Sequence, residues 1–372
     1  MSNTYFRDRK ESDRVFSKGY KVEVVYAIIS KGVPLFRTEG VGDISTVNMV
    51  VDKENYELPV ILPEKIQAKL RRTMLEVLRR EYSSFDTDTK KLIMESASKA
   101  KYKKVSLDKL EWNCFIAPPM QRTKVTDIGI CGYCPSCTTL GNITDDSVMD
   151  DIMTAYGIKS RVAHDIAFSC VEYRQAVMEM THNKVAEGVS YTGQSLYSEI
   201  HVAPGVVFIG KSTLYDVTQN EFALIVDSLS RITRMGGRET KDGSVEVKIL
   251  GVKFSDRETV SSYDLAREVL KASHGKMTDP EEVISKVREY LKNKGFQEVA
   301  INGGVIKIGG NEIKVNYKEA WLDSLDYAGK IREFIERAEN KKKSTEESGQ
   351  SGKGKGRGGK KKEGEDQSSE AE

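Results

Sequence analysis

Three of the five cysteines lie together in the segment CGYCPSC, as Cys131, Cys134 and Cys137. Two overlapping C-x-x-C turns direct three thiolates toward one point, as in many structural zinc sites. Disulfide bonds fit less well, because the number of cysteines is odd and a long cytosolic chain lies in a reducing compartment. The segment therefore predicts a structural zinc ion that stabilises the fold and does no chemistry.

A tetrahedral zinc ion needs a fourth ligand besides these three thiolates. We expect Cys114, which precedes them in the same irregular segment. Cys170 and His164 remain alternatives, because distance along the sequence does not exclude them.

Other interpretations of the cysteines stay open. An iron–sulfur cluster is the main rival, because C-x-x-C-x-x-C begins the ferredoxin pattern, but the next cysteine and the following proline of that pattern are absent. Reduced cysteines half-buried in a turn would also explain the segment. A catalytic zinc site of the nucleobase deaminase kind is excluded, because its H-x-E and P-C-x-x-C motifs are missing.

A second group with chemical potential follows a helix with clear start and stop signals. Arg231, Arg234 and Arg238 surround Gly236 and Gly237. Glycines let a backbone approach a phosphate closely, and guanidinium groups donate forked hydrogen bonds to it. A helix cap followed by a charged hairpin explains the same residues, so the residues alone leave both interpretations open.

No catalytic residue can be argued from the remaining polar side chains. Asp43 and Asp165 are possible metal-binding carboxylates, but single aspartates are ordinary in turns. The histidines are widely separated and match no known nucleophile or metal spacing: His164, His182, His201 and His274.

Strands and helices that could position these residues are mixed along the whole chain. Alternating apolar residues predict strands from Lys21 to Ser30 and from Val245 to Ile249. Thr218 and Glu221 form a capping-box pattern at the start of a helix. Another helix has one apolar face from Ile66 to Leu78, and its basic residues could meet phosphates or be solvated: Lys65, Lys69, Arg71, Arg72, Arg79 and Arg80.

Composition limits the function classes. The formal net charge is only +2, so a nucleic-acid surface would have to be local. No apolar run is long enough for a transmembrane helix and no secretory signal is visible, so we expect a cytoplasmic protein without a membrane partner. The segment 341–372 lacks aromatic and branched apolar residues, which predicts disorder. Its KGKGRGGKKK stretch is either a basic patch for a polyanion or a solubilising tail.

Two further patterns carry a resemblance to a known family. The sequence MGGRETKDGSVEV, from Met235 to Val247, resembles the glycine-rich loop of the repeat-associated RNA-binding (RAMP) superfamily of CRISPR systems, although the usual last glycine is Val245 here. CGYCPSC with the following TTLG, and SLYSEIHVAPGVVFIGKSTLYDVTQNEF from Ser195 to Phe222, resemble more narrowly the backbone subunit of the type I-D CRISPR interference (Cascade) complex. The resemblance spans roughly residues 20–256 and does not place the residues from Ser261 onward.

The resemblance implies an α+β fold with an RRM-like (ferredoxin-like) antiparallel sheet core and helical, zinc-binding and lid insertions. Together with the elements predicted from the residues, it gives 1–62 and 161–275 for the core, 63–112 for the helical insertion, 113–160 for the zinc-binding insertion and 183–194 for the lid hairpin. Outside the resemblance, the residues themselves predict a C-terminal α/β region at 276–340 and a disordered tail at 341–372.

The resemblance also implies a function. Such a subunit binds CRISPR RNA without regard to sequence, along with copies of itself and other subunits, and leaves the guide free to pair with target DNA in antiviral defence. The implied RNA contacts are Gly236, Gly237 and Arg238, supported by Arg231 and Arg234; Lys184 and Tyr191 in the lid; and Lys31 and Arg37 at the first β-turn.

Two alternatives to RNA binding remain. A metal-dependent endonuclease of the same superfamily would use a loop carboxylate, for which Asp43 is the candidate. A zinc-ribbon scaffold that binds only protein would have no salt-dependent affinity for RNA.

Overall fold

A computed structural model of the protein describes residues 3–37, 44–100, 102, 105–116, 129–143, 157–182 and 197–350. Its contacts divide the chain into two units, Met1–Lys330 and Ile331–Glu372. Within the described residues, no helix has the length and apolar character needed to cross a bilayer.

Helices and short strands alternate along the described part of the chain. A 3-10 helix, Asn3–Tyr5, comes first. The α-helices are α1 (Pro63–Ser84), α2 (Thr87–Lys99), α3 (Pro135–Thr139), α4 (Tyr173–Ala176), α5 (Gln219–Ser230), α6 (Ser262–Ser273), α7 (Pro280–Asn293) and α8 (Tyr317–Gln350). The strands are β1 (Lys21–Ser30), β2 (Thr46–Val51), β3 (Glu54–Ile61), β4 (Asn142–Ile143), β5 (Gly157–Ile158), β6 (Val162–His164), β7 (Ala167–Ser169), β8 (Val177–His182), β9 (Tyr197–Val202), β10 (Val207–Tyr215), β11 (Val245–Ser255), β12 (Val299–Asn302), β13 (Val305–Ile308) and β14 (Asn311–Lys314).

The largest sheet has the strand order β11-β1-β10-β7-β3-β2, with β6 also paired to β10, and all of these pairs are antiparallel. Strand β1 lies between β11 and β10 in this sheet, with Lys21 opposite Tyr215 of β10 and Ile29 opposite Val207. Along the chain, α1 separates β1 from β6 and β7, and α5 connects β10 to β11. The expected α+β fold with an antiparallel sheet is therefore confirmed.

Helices cover both faces of the sheet. Because successive side chains of a strand point to opposite faces, each face needs its own layer. Ala27 of β1 packs in an apolar cluster with Leu265 of α6 and Val287 of α7. On the opposite face, α1 and α5 contact each other, and the ring of Phe222 in α5 lies 5.9 Å from that of Phe254 in β11. Strand β1 is consequently buried along almost its whole length.

Several local predictions are confirmed. Strand β1 has the predicted bounds, Lys21–Ser30. Thr218 and Glu221 form the predicted capping box at the start of α5, with both reciprocal hydrogen bonds present. Residues 162–169 form two short strands, β6 and β7, and between them the carboxylate of Asp165 accepts a hydrogen bond of 3.0 Å from the backbone N–H of Ser262.

The end of the chain differs from its prediction. Helix α8 continues to Gln350, so the predicted disorder from residue 341 is wrong for 341–350. Lys and Glu favour helices even where no apolar side chain can be buried, and neither glycine nor proline interrupts this stretch before Gly349. The KGKGRGGKKK stretch lies outside the described residues.

Candidate metal centre and nucleic-acid interface

Four cysteine thiols meet at one buried point. The sulfur of Cys114 lies 3.6 Å from that of Cys137 and 3.8 Å from that of Cys134, and the sulfurs of Cys131 and Cys137 are 3.9 Å apart. All four sulfurs lie within 4.8 Å of one another. Zinc–sulfur bonds of about 2.3 Å in a tetrahedron place the sulfurs about 3.8 Å apart. The spacing therefore fits a single metal ion and is too tight for a cluster of several irons.

The local backbone explains this convergence. Gly132 adopts a positive φ of 86°, which turns the chain directly after Cys131. Backbone N–H groups then point toward sulfur: that of Cys131 lies 3.4 Å from the sulfur of Cys114, and that of Cys134 lies 3.4 Å from the sulfur of Cys131. Helix α3 begins after Cys134 and carries Cys137. These N–H groups stabilise negative charge on the thiolates.

Burial and contact with one another shift the pKa values of these thiols strongly. Burial raises the pKa of Cys134 and of Cys137 well above the usual range. Burial also acts to raise the pKa of Cys131, but hydrogen bonds from the neighbouring thiols bring it well below its usual value. Four contacting thiols cannot all ionise without a compensating cation, so the donor set suits a thiolate-binding metal.

The alternative ligands lie elsewhere. Cys170 is buried in the apolar cluster beneath α6 and α7, where burial raises its pKa to about 12. His164 places its Nδ1 2.7 Å from the hydroxyl of Ser212, and burial lowers its pKa to about 4. The fourth cysteine of the cluster is therefore Cys114, as expected.

Helix α1 holds the cysteine segment in place. The guanidinium of Arg71 donates hydrogen bonds to the carbonyls of Leu140 at 2.8 Å and Gly141 at 2.5 Å. Arg79 donates to the carbonyl of Cys114 at 2.7 Å. From the sequence, these two arginines could contact either phosphates or solvent. In the structure, both donate hydrogen bonds to backbone carbonyls of the same chain.

An aromatic cluster packs beside the cysteines. The ring of Trp112 lies 4.8 Å from that of Trp321 and 5.8 Å from that of Tyr82. Tyr133, within CGYCPSC, is buried and lies 5.2 Å from Tyr102. The cysteine segment therefore packs against an apolar core whose aromatic residues come from several separate parts of the chain.

The glycine-rich loop (residues 234–244) lies against the turn after β1 (residues 31–37). The N–H of Gly237 donates to the carbonyl of Leu35 at 2.8 Å, and the N–H groups of Lys31 and Gly32 both donate to the carbonyl of Ser244 at 3.0 Å. The two segments that the resemblance selected for RNA contact therefore form one continuous surface.

The space around the two glycines explains why the loop needs glycine at 236 but not at 237. Gly236 has a φ of 96°, and a Cβ there would lie 2.7 Å from the carbonyl oxygen of Leu35. A Cβ on Gly237 would meet nothing closer than 3.6 Å. The position where the superfamily has its last glycine is Val245, whose side chain is buried at the start of β11. In this protein, Val245 therefore packs in the core at that position.

Two of the predicted cations meet at one carboxylate. Glu199 of β9 accepts a hydrogen bond of 3.1 Å from Arg37 through Oε1 and one of 2.5 Å from Arg238 through Oε2. Burial acts to raise the pKa of Glu199, but hydrogen bonding to Arg238 and the charges of both arginines lower it below its usual value. No sequence motif marked Glu199, because only the tertiary fold brings it to these loops.

The other predicted cations have different partners. Arg231 pairs with Asp227 of its own helix at 2.7 Å, and Arg234 donates to carbonyls of its own loop. The Nζ of Lys31 lies 3.0 Å from Oε2 of Glu246. These partners differ for Arg231, Arg234 and Arg238, and it is Arg37 that joins Arg238 at one carboxylate.

The start of α1 extends this surface. The Nζ of Lys65 donates to the carbonyl of Arg37 at 2.6 Å, and that of Lys69 lies 3.1 Å from the carboxylate of Glu239 in the glycine-rich loop. Lys184 and Tyr191 of the predicted lid, and Asp43, lie outside the described residues.

Comparisons with known proteins point to one family. A family model described as Csc2 Crispr matches residues 5–338. The crystal structure of Thermofilum pendens Csc2 aligns with a TM-score of 0.70 at 33% sequence identity, over 90% of this chain and 95% of that chain.

More distant matches are also found among solved structures. A chain of a CRISPR RNA-guided surveillance complex, pre-nicking, has 11% identity and a TM-score of 0.42, over 73% of this chain and 88% of that chain. A chain of a type IV-B CRISPR complex has 11% identity and a TM-score of 0.38, over 61% of this chain and 90% of that chain. No curated protein sequence matches the chain.

Proposed function

Because the chain belongs to the Csc2 family of CRISPR proteins, we propose that it binds CRISPR RNA along the sugar–phosphate backbone, as the repeated backbone subunit of a type I-D interference complex. The protein would act in the cytoplasm with copies of itself and other subunits of that complex, and the guide would pair with target DNA. The protein would bind the phosphates, and base pairing of the guide would supply the sequence specificity.

One observation carries this proposal most directly. The turn after β1 and the glycine-rich loop lie side by side, and Arg37 and Arg238 converge between them on Glu199. Lys65 and Lys69 of α1 border the same surface. A local group of cations beside exposed loop backbone suits phosphate binding in a chain whose formal net charge is only +2.

The covered sheet supports a loop-based interface. RRM domains stack bases on aromatic residues of an open sheet face. Here α6 and α7 pack on one face, and α1 and α5 pack on the other. RNA bound by this fold would therefore follow the loops at the ends of β1 and α5.

We also propose the finer details of the fold and the metal. The order β11-β1-β10-β7 with helices after β1 and β10 supports an RRM-like core, with residues 63–112 and 113–160 as insertions and 183–194 as a lid. Cys114, Cys131, Cys134 and Cys137 would hold one structural zinc ion, since four thiolates at this spacing match its preferred ligands.

A filter-binding titration tests RNA binding. Unstructured RNA should bind with an affinity that falls steeply as salt rises, because each phosphate contact contributes roughly −0.7 to the slope of log K against log salt for single strands. Alanine at Arg231, Arg234 and Arg238 together should weaken binding substantially and flatten this slope.

The matched control replaces three exposed cations of α7, Lys286, Arg288 and Lys292, with alanine and so removes the same charge. The control should bind almost as tightly as the unchanged protein. If both triple variants weaken binding equally, or if the unchanged protein has no salt-dependent affinity, the proposed interface is wrong.

The same samples with magnesium test the endonuclease alternative. Intact RNA and single-stranded DNA after incubation agree with a binding subunit. Cleavage that Asp43→Ala abolishes would replace the proposal with a nuclease function.

A further inference from the structure

We propose that Glu199 is a positioning residue of the RNA interface, which holds Arg37 and Arg238 together as a pair that binds phosphate. This inference rests on the proposed function of the same surface. It assigns a favourable role to an acidic side chain at a site for a polyanion.

Glu199 joins three segments that are far apart in sequence. Glu199 lies on β9, Arg37 lies at the end of the turn after β1, and Arg238 lies in the glycine-rich loop. Only 9% of the Glu199 side chain is exposed, whereas 44% of Arg37 and 28% of Arg238 are exposed. The carboxylate therefore lies beneath the two guanidinium groups, which reach the surface above it.

The backbone around Glu199 fixes its place. The N–H of Val202 donates to the carbonyl of Pro34 at 3.0 Å, and Nδ1 of His201 lies 2.7 Å from the carbonyl oxygen of Val33. Strand β9 is thus attached directly to the turn after β1. The backbone of β9 therefore cannot move away from this turn without breaking these contacts.

Electrostatics explain why an acid is needed here. Two guanidinium groups held near each other repel, and their long side chains lose conformational freedom when they are fixed. A carboxylate that accepts one hydrogen bond from each offsets both effects, and each planar guanidinium has five N–H donors in total. The three side chains together keep a net charge of +1, which still attracts phosphate.

The sign of one substitution effect tests this inference. If Glu199 were only one more anion near the RNA, Glu199→Gln would strengthen RNA binding by removing repulsion. If Glu199 positions the arginines, the same substitution weakens binding although the surface becomes more positive. We expect the Kd for unstructured RNA to rise about tenfold, and the salt slope to become shallower by up to about 1.4, which corresponds to two lost phosphate contacts.

Two controls separate positioning from general charge and stability effects. Glu246→Gln removes a carboxylate that pairs with Lys31 and Lys248, and it should leave the Kd unchanged or lower it. In an Arg37→Ala, Arg238→Ala background, Glu199→Gln should cause no further weakening, because nothing remains to position. If Glu199→Gln fails to fold by circular dichroism, Glu199→Asp keeps the charge but shortens the reach, and it should also bind less tightly.

The outcomes distinguish the two levels of the argument. An unchanged protein that lacks salt-dependent RNA affinity contradicts the proposed function itself. An unchanged protein that binds RNA, with a Glu199→Gln variant that binds equally or more tightly, contradicts only the role of Glu199. Wild-type affinity of Glu199→Asp, where that variant is needed, also contradicts it.

Discussion

The cysteine thiols are the single side chains whose chemistry is most specific. If the cluster holds the proposed zinc ion, Cys134→Ser should reduce the zinc content from about one ion per chain to a small fraction, because three thiolates and a hydroxyl hold the ion poorly. The melting temperature should fall by more than about 5 °C. Metal analysis by mass spectrometry and a thermal melt measure the two effects.

Cys170→Ala is the matched control for that experiment. Cys170 is equally buried but lies in a different cluster, so this variant should keep its zinc. Zinc loss in both variants, or in neither, would contradict the assigned ligand set.

A buried carboxylate gives a pH-dependent prediction. Both oxygens of Glu221 accept hydrogen bonds from Arg161, at 2.6 and 2.9 Å, and Arg14 donates to the same group at 3.1 Å. Burial acts to raise the pKa of Glu221, but the charges of Arg161 and Arg14 lower it to about 2. The stabilisation is therefore present above the unfolded pKa of 4.5 and is lost as the pH falls toward about 2.

Glu221→Gln should lower the free energy of unfolding by about 3 to 5 kcal/mol at pH 7, because it removes the carboxylate that the buried guanidinium groups of Arg161 and Arg14 share. Urea denaturation from pH 7 to pH 3 measures the difference from the unchanged protein, which should shrink as the pH falls. A difference that stays constant over this range would mean that folding does not change the pKa of Glu221.

Helix α1 has two roles along its length, and substitutions at neighbouring arginines can separate them. Arg71→Ala should lower the free energy of unfolding by about 1 to 3 kcal/mol, because carbonyls of the cysteine segment lose their donor. Arg72→Ala, on the exposed side of the same turn, should change it by less than about 0.5 kcal/mol. Chemical denaturation compares the two, and equal effects would argue against the anchoring role.

The two adjacent glycines of the loop should also respond differently. Gly236→Ala should destabilise the protein by about 1 to 3 kcal/mol, because a positive φ and a close carbonyl oppose a side chain there. Gly237→Ala has room for its methyl group, so the free energy of unfolding should change little while RNA binding weakens. Denaturation and filter binding together test this, and unchanged RNA affinity of Gly237→Ala would argue against close approach of the RNA backbone.

Elements marked by local patterns were the ones that sequence could predict. Strand β1, the capped start of α5 and the C-x-x-C-x-x-C part of the cysteine cluster depend on neighbouring residues, and the expected fourth cysteine, Cys114, was also correct. Glu199 could not be predicted, because its partners come from two distant loops. The packing of α6 and α7 on the sheet could not be predicted either, because an amphipathic pattern does not show which surface the helix will cover.

Assembly is a property of the whole molecule, and RNA length should control it. If copies bind side by side along one strand, complexes on longer unstructured RNA should grow in steps of one 41.6 kDa chain. Analytical ultracentrifugation with a series of RNA lengths measures the mass of each complex. Higher salt should dissociate the complexes. A constant stoichiometry at every length would contradict the repeated-subunit proposal.

The double covering of the central sheet has a consequence for the nucleotides themselves. Among the described residues, an RNA strand that contacts only the loops at the ends of the strands would meet no open sheet face on which successive bases could stack. Most of its Watson–Crick edges would then stay turned outward, already displayed for a complementary strand to read.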